Sequence, residues 1–159
     1  VRGLLLHKLM EEVLTGELNV GGVVIARRAA GLIRALGRSP VADPATGLSA
    51  EELAGCVVRT LALPDIATLL SDLLAEFPVY VANAVDGLET ATAGVVDALS
   101  LTAEGRPAVA VDWKSDVAPD SQTLDHYRAQ IRAYIEMTGA QRGLIVLMTS
   151  GVVIKVQPS

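Results

Sequence analysis

The sequence predicts a mixed α/β fold in which a central sheet is flanked by helices. Helical patterns fill the first half of the chain, and strand-like runs, one further helix and two more strands follow. This order of helix, strands, helix, strands is typical of an α/β domain with a mixed sheet. With 159 residues, 51% of them hydrophobic, the chain is long enough to bury one sizeable core.

The first predicted element is a helix from Arg2 to about Thr15. Its apolar residues recur at helical spacing, and Gly16 is a natural stop. His7 lies on the same side of this helix as Met10.

The sequence of residues 18–75 is rich in Ala and Leu and predicts helices without any strand. A proline-containing break covers residues 37–47, and the acid-rich sequence at residues 49–52 is typical of a helix start. Helical periodicity ends near Glu76, and the strands begin at residues 77–81.

Two further strands are predicted at residues 93–99 and 108–114. The residues between them have the composition and length of a hairpin connection. With residues 103–106 as the loop, the opposed pairs are Thr102 and Pro107, Leu101 and Ala108, and Leu99 and Ala110. The same register sets Asp97 opposite Asp112.

The last predicted elements are a helix and a second hairpin. The helix begins at the capping sequence at residues 119–121 and ends at Thr138, before Gly139. Strands at residues 142–149 and 152–156 follow, joined by a Ser-Gly turn.

Composition excludes several classes of protein. No apolar run approaches the length of a membrane helix, and charged residues interrupt any signal-peptide pattern near the start. The single cysteine, Cys56, excludes an internal disulfide and an iron–sulfur site, which indicates a cytoplasmic setting. A net charge of −5 argues against a freestanding high-affinity DNA-binding protein.

The predicted register of Asp97 and Asp112 points to a cation site. Directly opposed like charges destabilise a sheet, unless a cation lies between them. Lys114 shares a strand face with Asp112, because side chains alternate along a strand. Carboxylate oxygens suit Mg²⁺, and a lysine nearby can hold a water or stabilise charge on a phosphate.

Five short motifs resemble the RecB/AddA branch of the PD-(D/E)xK nuclease superfamily, which has a restriction-endonuclease-like fold. They follow the family order and extend over nearly the whole chain. The motifs are Arg-Gly-x-x-x-His at residues 2–7, Glu-x-Pro at 76–78, Gly-x-x-Asp at 94–97, Asp-Trp-Lys-Ser-Asp at 112–116 and Tyr-x-x-Gln-x-x-x-Tyr at 127–134.

The resemblance implies a role for each matched residue. His7, Asp97, Asp112 and the Trp113 backbone carbonyl would bind a metal, and Lys114 would be catalytic. Gln130 and Tyr134 would line the site and contact DNA, and Glu76 would be an accessory acid. Tyr127 and Asp116 also lie in the matched motifs and would have accessory roles at the site. Val96 stands where the wider superfamily has a proline, a departure usual in this branch.

The function implied is a Mg²⁺-dependent deoxyribonuclease, with Mn²⁺ as a substitute. It would be the C-terminal exonuclease V-type module of a UvrD-like helicase–nuclease that processes double-strand breaks for recombination in the bacterial nucleoid. We expect a single nuclease domain over residues 1–159, with residues 18–75 a helical insertion, cut from a longer chain. The sequence contains no ATP-binding Gly-x-x-x-x-Gly-Lys-[Ser/Thr] motif, so unwinding would need attached helicase domains or a second helicase–nuclease subunit.

Each residue also has an ordinary structural interpretation. His7 and the tyrosines could be packed core, Glu76 a helix-end charge, and Asp116 a cap for the loop before the next helix. Cys56 is interpreted as core. Four arginines are a solvated face or, alternatively, phosphate contacts: Arg27, Arg28, Arg34 and Arg38.

Two other functions stay open at this point. The chain could be a catalytically inactive DNA-binding or scaffolding module of the same fold. It could also be a freestanding restriction-like or phage-type exonuclease.

Overall fold

A computed structural model describes residues 1–85 and 87–159 and confirms the α/β class. The chain divides into two compact units. The first contains Val1–Ser71, Trp113–Ala118 and Leu147–Val152, and the second contains Asp72–Asp112, Pro119–Val146 and Val153–Ser159.

The first unit is helical, as predicted. Its helices are α1 (Arg2–Leu14), α2 (Gly22–Ala35), α3 (Ala50–Ala62) and the short α4 (Pro64–Ala67), and a 3₁₀ turn follows at Leu70–Asp72. Helices α1, α2 and α3 pack through their apolar sides, which fully buries these side chains: Leu6, Leu9, Met10, Ile25, Ile33 and Leu53. No helix in the described ranges is long and apolar enough to cross a membrane.

The start of α3 confirms the predicted helix signal after the proline-containing break. Ser49 is the N-cap, and its side chain accepts a hydrogen bond from the backbone N–H of Glu52 at 3.3 Å. Glu51 and Glu52 place negative charge in the first turn, where the exposed backbone N–H groups favour it.

The second unit contains most of a five-stranded sheet. Its strands are β1 (Leu73–Val85), β2 (Leu88–Leu101), β3 (Pro107–Lys114), β4 (Arg142–Leu147) and β5 (Val152–Val156). They lie side by side in sequence order, β1-β2-β3-β4-β5. The predicted hairpin of the last two strands is confirmed.

The first two strands are longer than predicted. β1 begins at Leu73 rather than residue 77, and β2 begins at Leu88 rather than residue 93. The two strands pair antiparallel over their whole length, from Leu73 opposite Ser100 to Val85 opposite Leu88. The pairing of β2 with β3 covers only Ala98 to Leu101, so much of the β1–β2 ribbon extends beyond its pairing with β3.

Helix α5 (Ser121–Thr138) packs on the sheet of the second unit with the predicted boundaries. The Asp120 carboxylate caps it by accepting the Thr123 N–H at 2.8 Å, and this hydrogen bond lowers the pKa of Asp120. Gly139 ends it with a φ of 75°. Helix and sheet approach closely at Gly143, where an added Cβ would lie 2.5 Å from Cγ1 of Ile131.

Candidate functional site

The pairing of β2 with β3 confirms the predicted pair of Leu99 with Ala110. Ala98 lies opposite Val111 and Leu99 opposite Ala110. The next step in this register sets Asp97 opposite Asp112. Directly opposed residues of an antiparallel pair project to the same face, so the two aspartates share one face of the sheet.

The predicted pairings of Leu101 with Ala108 and of Thr102 with Pro107 are wrong. Leu101 lies opposite Pro107, because the register shifts between Ser100 and Leu101. The buried Ser100 hydroxyl accepts a hydrogen bond from the Val109 N–H at 3.0 Å, where a regular ladder would use a backbone carbonyl. This irregularity lies on β2 between Asp97 and the β2–β3 turn.

The surroundings of the two aspartates differ. Asp112 is only 3% exposed, whereas Asp97 is half-buried. Removing a carboxylate from water is costly unless charge or hydrogen bonds compensate it. Two hard oxygen donors on one face, one of them deeply buried, are a donor set that fits a divalent cation such as Mg²⁺. Within the described residues, no group of three or more His, Cys, Asp or Glu side chains is arranged to hold a metal ion.

Glu76 lies in the same row of the sheet. The β1–β2 register sets Ala75 opposite Ala98 and Phe77 opposite Val96, so Glu76 falls at the level of Asp97. The interpretation of Glu76 as a helix-end charge is wrong, because the residue lies inside β1. Its φ of 50° is in the left-handed region, which is strained for a residue with a side chain.

Lys114 is the last residue of β3 and is half-buried. Its backbone carbonyl accepts a hydrogen bond from the Met148 N–H at 2.8 Å, which ties the end of β3 to the residue after β4. Strand alternation gives Lys114 the same face as Asp112 and turns the buried Trp113 to the other face. The metal-ligand role of the Trp113 carbonyl stays a prediction.

A cluster around Arg2 fixes the residue that follows Lys114. The Arg2 guanidinium donates to both carboxylate oxygens of Glu52, with Nε 3.1 Å from Oε2, and its Nη1 donates to Thr149 Oγ1 at 2.9 Å. The Ser115 carbonyl accepts hydrogen bonds from Thr149 Oγ1 at 2.9 Å and from Arg2 at 3.4 Å. We call these four residues the Arg2 clamp. The hydrogen bonds to Glu52 raise the pKa of Arg2.

Gly3 brings the start of α1 close to the same segment. A Cβ added at Gly3 would lie 2.8 Å from Oγ of Ser115. The Arg-Gly pair at the start of the chain therefore has a local structural reason: the arginine binds the segment after Lys114 and the glycine lets the helix approach it.

His7 belongs to the first unit, as does Lys114, whereas Asp97 and Asp112 belong to the second. The imidazole is half-buried, and its Nδ1–H donates to the Gly3 carbonyl at 2.8 Å. This hydrogen bond selects the tautomer with the lone pair on Nε2, which is the form that binds metals. The ligand role of His7 stays a prediction.

Residues of α5 contact the sheet beside Gly94. The Gln130 side-chain amide donates to the Tyr134 hydroxyl at 3.2 Å, and the Tyr134 ring lies 3.5 Å from where a Gly94 Cβ would be. Gly94 therefore leaves room for the tyrosine. Strand alternation assigns Gly94 and Asp97 to opposite faces of β2, so this contact lies on the face away from Asp97. A DNA contact by Gln130 or Tyr134 stays a prediction.

Two other residues of the motifs lie within α5 and in the loop after β3. Tyr127 is half-buried on the same side of α5 as Gln130, and Asp116 is exposed in the loop after β3. Asp120 provides the N-cap of α5, as predicted. Their accessory roles stay predictions.

Sequence reasoning missed the ion pairs that involve Glu52 and Glu12. Arg28 is exposed, as the solvated-face interpretation requires, but it also forms two hydrogen bonds to the Glu12 carboxylate at 2.7 and 2.8 Å. These bonds lower the pKa of Glu12, which is buried. Helical spacing gives no signal for such pairs, because their partners come from different helices.

Comparison with known proteins assigns no role to any residue of this chain. No protein family and no curated protein matches the sequence. Among solved structures, the crystal structure of SSO0001 is similar, with a TM-score of 0.49 and 20% sequence identity over 98% of this chain and 77% of that chain. A likeness at this level assigns neither a fold family nor an activity.

Proposed function

We propose that the chain is a metal-dependent nuclease that hydrolyses DNA phosphodiester bonds, with a restriction-endonuclease-like core. The observation that supports this most is the pairing of Ala98 with Val111, because the next step in that register would set Asp97 opposite Asp112, with Lys114 two residues later. An acid pair and a lysine in this arrangement match the chemistry of phosphodiester hydrolysis.

Asp97 and Asp112 would hold the divalent cation, since both offer hard oxygen ligands on one face of the sheet. When bound, Mg²⁺ would lower the pKa of a coordinated water and polarise a phosphoryl oxygen. The Lys114 ammonium is a compact positive charge with three N–H donors. It would orient the attacking water by hydrogen bonding and stabilise the negative charge that develops on the phosphate.

Further ligands and contacts follow the family resemblance. His7 would add an imidazole nitrogen and Trp113 its backbone carbonyl to the metal site. Gln130 and Tyr134 would contact DNA, and Glu76 would be an accessory acid in the row formed with Asp97.

At the level of the cell, the chain would be the nuclease module of a bacterial helicase–nuclease in double-strand break repair. Its net charge of −5 fits a nuclease that receives DNA from attached helicase domains and does not need strong DNA affinity of its own. A bound divalent cation would also offset part of the acidic charge.

Digestion of end-labelled single- and double-stranded DNA in Mg²⁺ or Mn²⁺ tests the activity. We expect Lys114→Ala to abolish cleavage and to leave the fold and metal affinity unchanged, because the ammonium is not a ligand. Lys155→Ala is the matched control, since Lys155 is exposed on β5 and has no role in the proposed site. Normal cleavage by Lys114→Ala would remove the lysine from the mechanism.

Titration calorimetry with Mn²⁺ tests the acid pair separately. Asp97→Asn replaces one carboxylate oxygen with an amide, and we expect both metal affinity and cleavage to fall. Unchanged Mn²⁺ affinity would mean that Asp97 and Asp112 share no ion. Metal-independent DNA binding without cleavage by the unaltered chain would favour the inactive DNA-binding module instead.

A further inference from the structure

A groove between α2 and α3 in the first unit lies outside the proposed nuclease site. Its volume is about 660 Å³. Both helices line it with small or apolar residues at four-residue spacing: Gly22, Ala26 and Ala30 on α2, and Ala50, Ala54 and Val58 on α3. Ala50 and Ala54 are buried at the bottom of this groove, and Ala26, Ala30 and Val58 are half-buried. Val23 at its edge is 75% exposed.

Two arginines of α2 also line this groove. Arg27 and Arg34 are exposed and seven residues apart, so they project from the same side of the helix, about 10.5 Å apart along its axis. Neither arginine forms an ion pair with any residue that the structure describes. Glu51 of α3 is the acidic residue of the lining. Two arginines and one glutamate therefore border a mostly apolar floor, which leaves the groove with a net positive charge in a chain whose net charge is negative.

We propose that this groove docks an amphipathic α-helix of a partner protein, and that this helix carries two acidic residues one heptad apart. Its apolar side lies along the small-residue floor, as in other helix-in-groove interfaces. Its two carboxylates reach Arg27 and Arg34, whose spacing matches two turns of an α-helix. The charge of the two arginines is what selects an acidic helix over a basic one.

The lining disfavours two other occupants. Single-stranded nucleic acid is usually held by aromatic stacking combined with positive charge, and none of the described lining residues is aromatic. A second copy docked by two-fold symmetry would bring the arginines of both copies to one interface, where like charges repel.

Fluorescence polarisation of the full chain with two labelled, helix-stabilised peptides tests the proposal. One peptide has an alanine- and leucine-lined side and two glutamates seven residues apart, and the other has lysines at those two positions. We expect the acidic peptide to bind about tenfold or more tightly than the basic one. The Arg27→Glu/Arg34→Glu variant should reverse this preference.

Two further variants separate the groove from general charge effects. Ala26→Trp fills the floor and should weaken the acidic peptide by about tenfold or more. Arg106→Glu reverses one positive charge in the exposed β2–β3 turn, half the charge change of the double variant, and should leave both affinities unchanged. Circular dichroism confirms that each variant keeps its helix content.

Three outcomes would overturn the proposal. Equal binding of the two peptides, or binding that survives Ala26→Trp, would show that neither charge nor the groove recognises the helix. Tighter binding of a labelled 12-nucleotide single strand, lost in the arginine double variant, would assign the groove to nucleic acid. Self-association of the unaltered chain in sedimentation velocity, abolished by Ala26→Trp, would assign it to a second copy.

Discussion

Replacing Arg2 with alanine removes the centre of the Arg2 clamp and should destabilise the first unit by about 3 kcal/mol. The paired side chains of Arg2 and Glu52 are 30% and 25% exposed, so solvent screens the pair only in part. A two-pronged, half-buried arginine–carboxylate contact contributes about 2 kcal/mol, between the values for exposed and buried ion pairs. The hydrogen bonds to Thr149 and Ser115 contribute about 1 kcal/mol more.

Urea unfolding of Arg2→Ala, Glu52→Gln and the double variant measures this energy. The double-mutant cycle should give a coupling of about 2 kcal/mol between the two side chains. Arg2→Lys should recover less than half of the loss, because lysine keeps the charge but not the planar two-pronged geometry. Arg38→Ala is the control, since Arg38 is exposed, and its stability should change by less than about 0.5 kcal/mol.

The clamp should also affect cleavage, because the Ser115 carbonyl that it binds follows Lys114 directly. We expect Arg2→Ala to lower kcat more than it raises KM, with Arg2→Lys intermediate. A coupling below about 0.5 kcal/mol would refute the energetic reasoning. A stable Arg2→Ala chain with full kcat would show that the clamp does not position the lysine.

Three more predictions concern other parts of the fold. Glu12→Gln should lower stability by about 2 kcal/mol at pH 7. Because Arg28 depresses the pKa of Glu12 below its ordinary 4.5, the difference from the unaltered chain should hold above that pH and disappear as pH falls through the depressed value, in urea unfolding from pH 7 to pH 3. Gly143→Ala should cost about 2 kcal/mol of stability, since the new Cβ would meet Cγ1 of Ile131 at 2.5 Å, and calorimetry should show a smaller cost in an Ile131→Ala background, which lacks Cγ1. The buried Cys56 thiol, whose pKa burial raises, should react with a thiol reagent only as fast as the protein unfolds.

Local signals predicted the elements that have defined ends. Helix α5 could be placed from its capping aspartate and its closing glycine, because both act through the backbone next to them. The length of the short connection between β2 and β3 left few ways to pair the strands, and it predicted the pair of Leu99 with Ala110 but not the register shift next to the turn. The pairing of Asp97 with Asp112 stays a prediction.

The lengths of β1 and β2 were underestimated because their sequence is ambiguous. Residues 88–93 are mostly small or polar and exposed, so neither face shows the apolar alternation that marks a strand. The Asp-Gly dipeptide at residues 86–87 is the signal that could have indicated a hairpin there.

The Arg2 clamp and the strained backbone at Glu76 could not be predicted. The clamp joins residues separated by up to 147 positions, and such pairing depends on the tertiary fold. The positive φ of Glu76 has no local cause in its sequence, since glutamate does not favour that conformation.

The part of the β1–β2 ribbon that extends past its pairing with β3 gives the molecule a natural place for grafts. If one residue is removed from, or added to, both strands at opposed positions, every other residue keeps its cross-strand partner. A reporter or an affinity epitope could be grafted onto this part of the ribbon while Ala98 keeps its partner Val111 on β3.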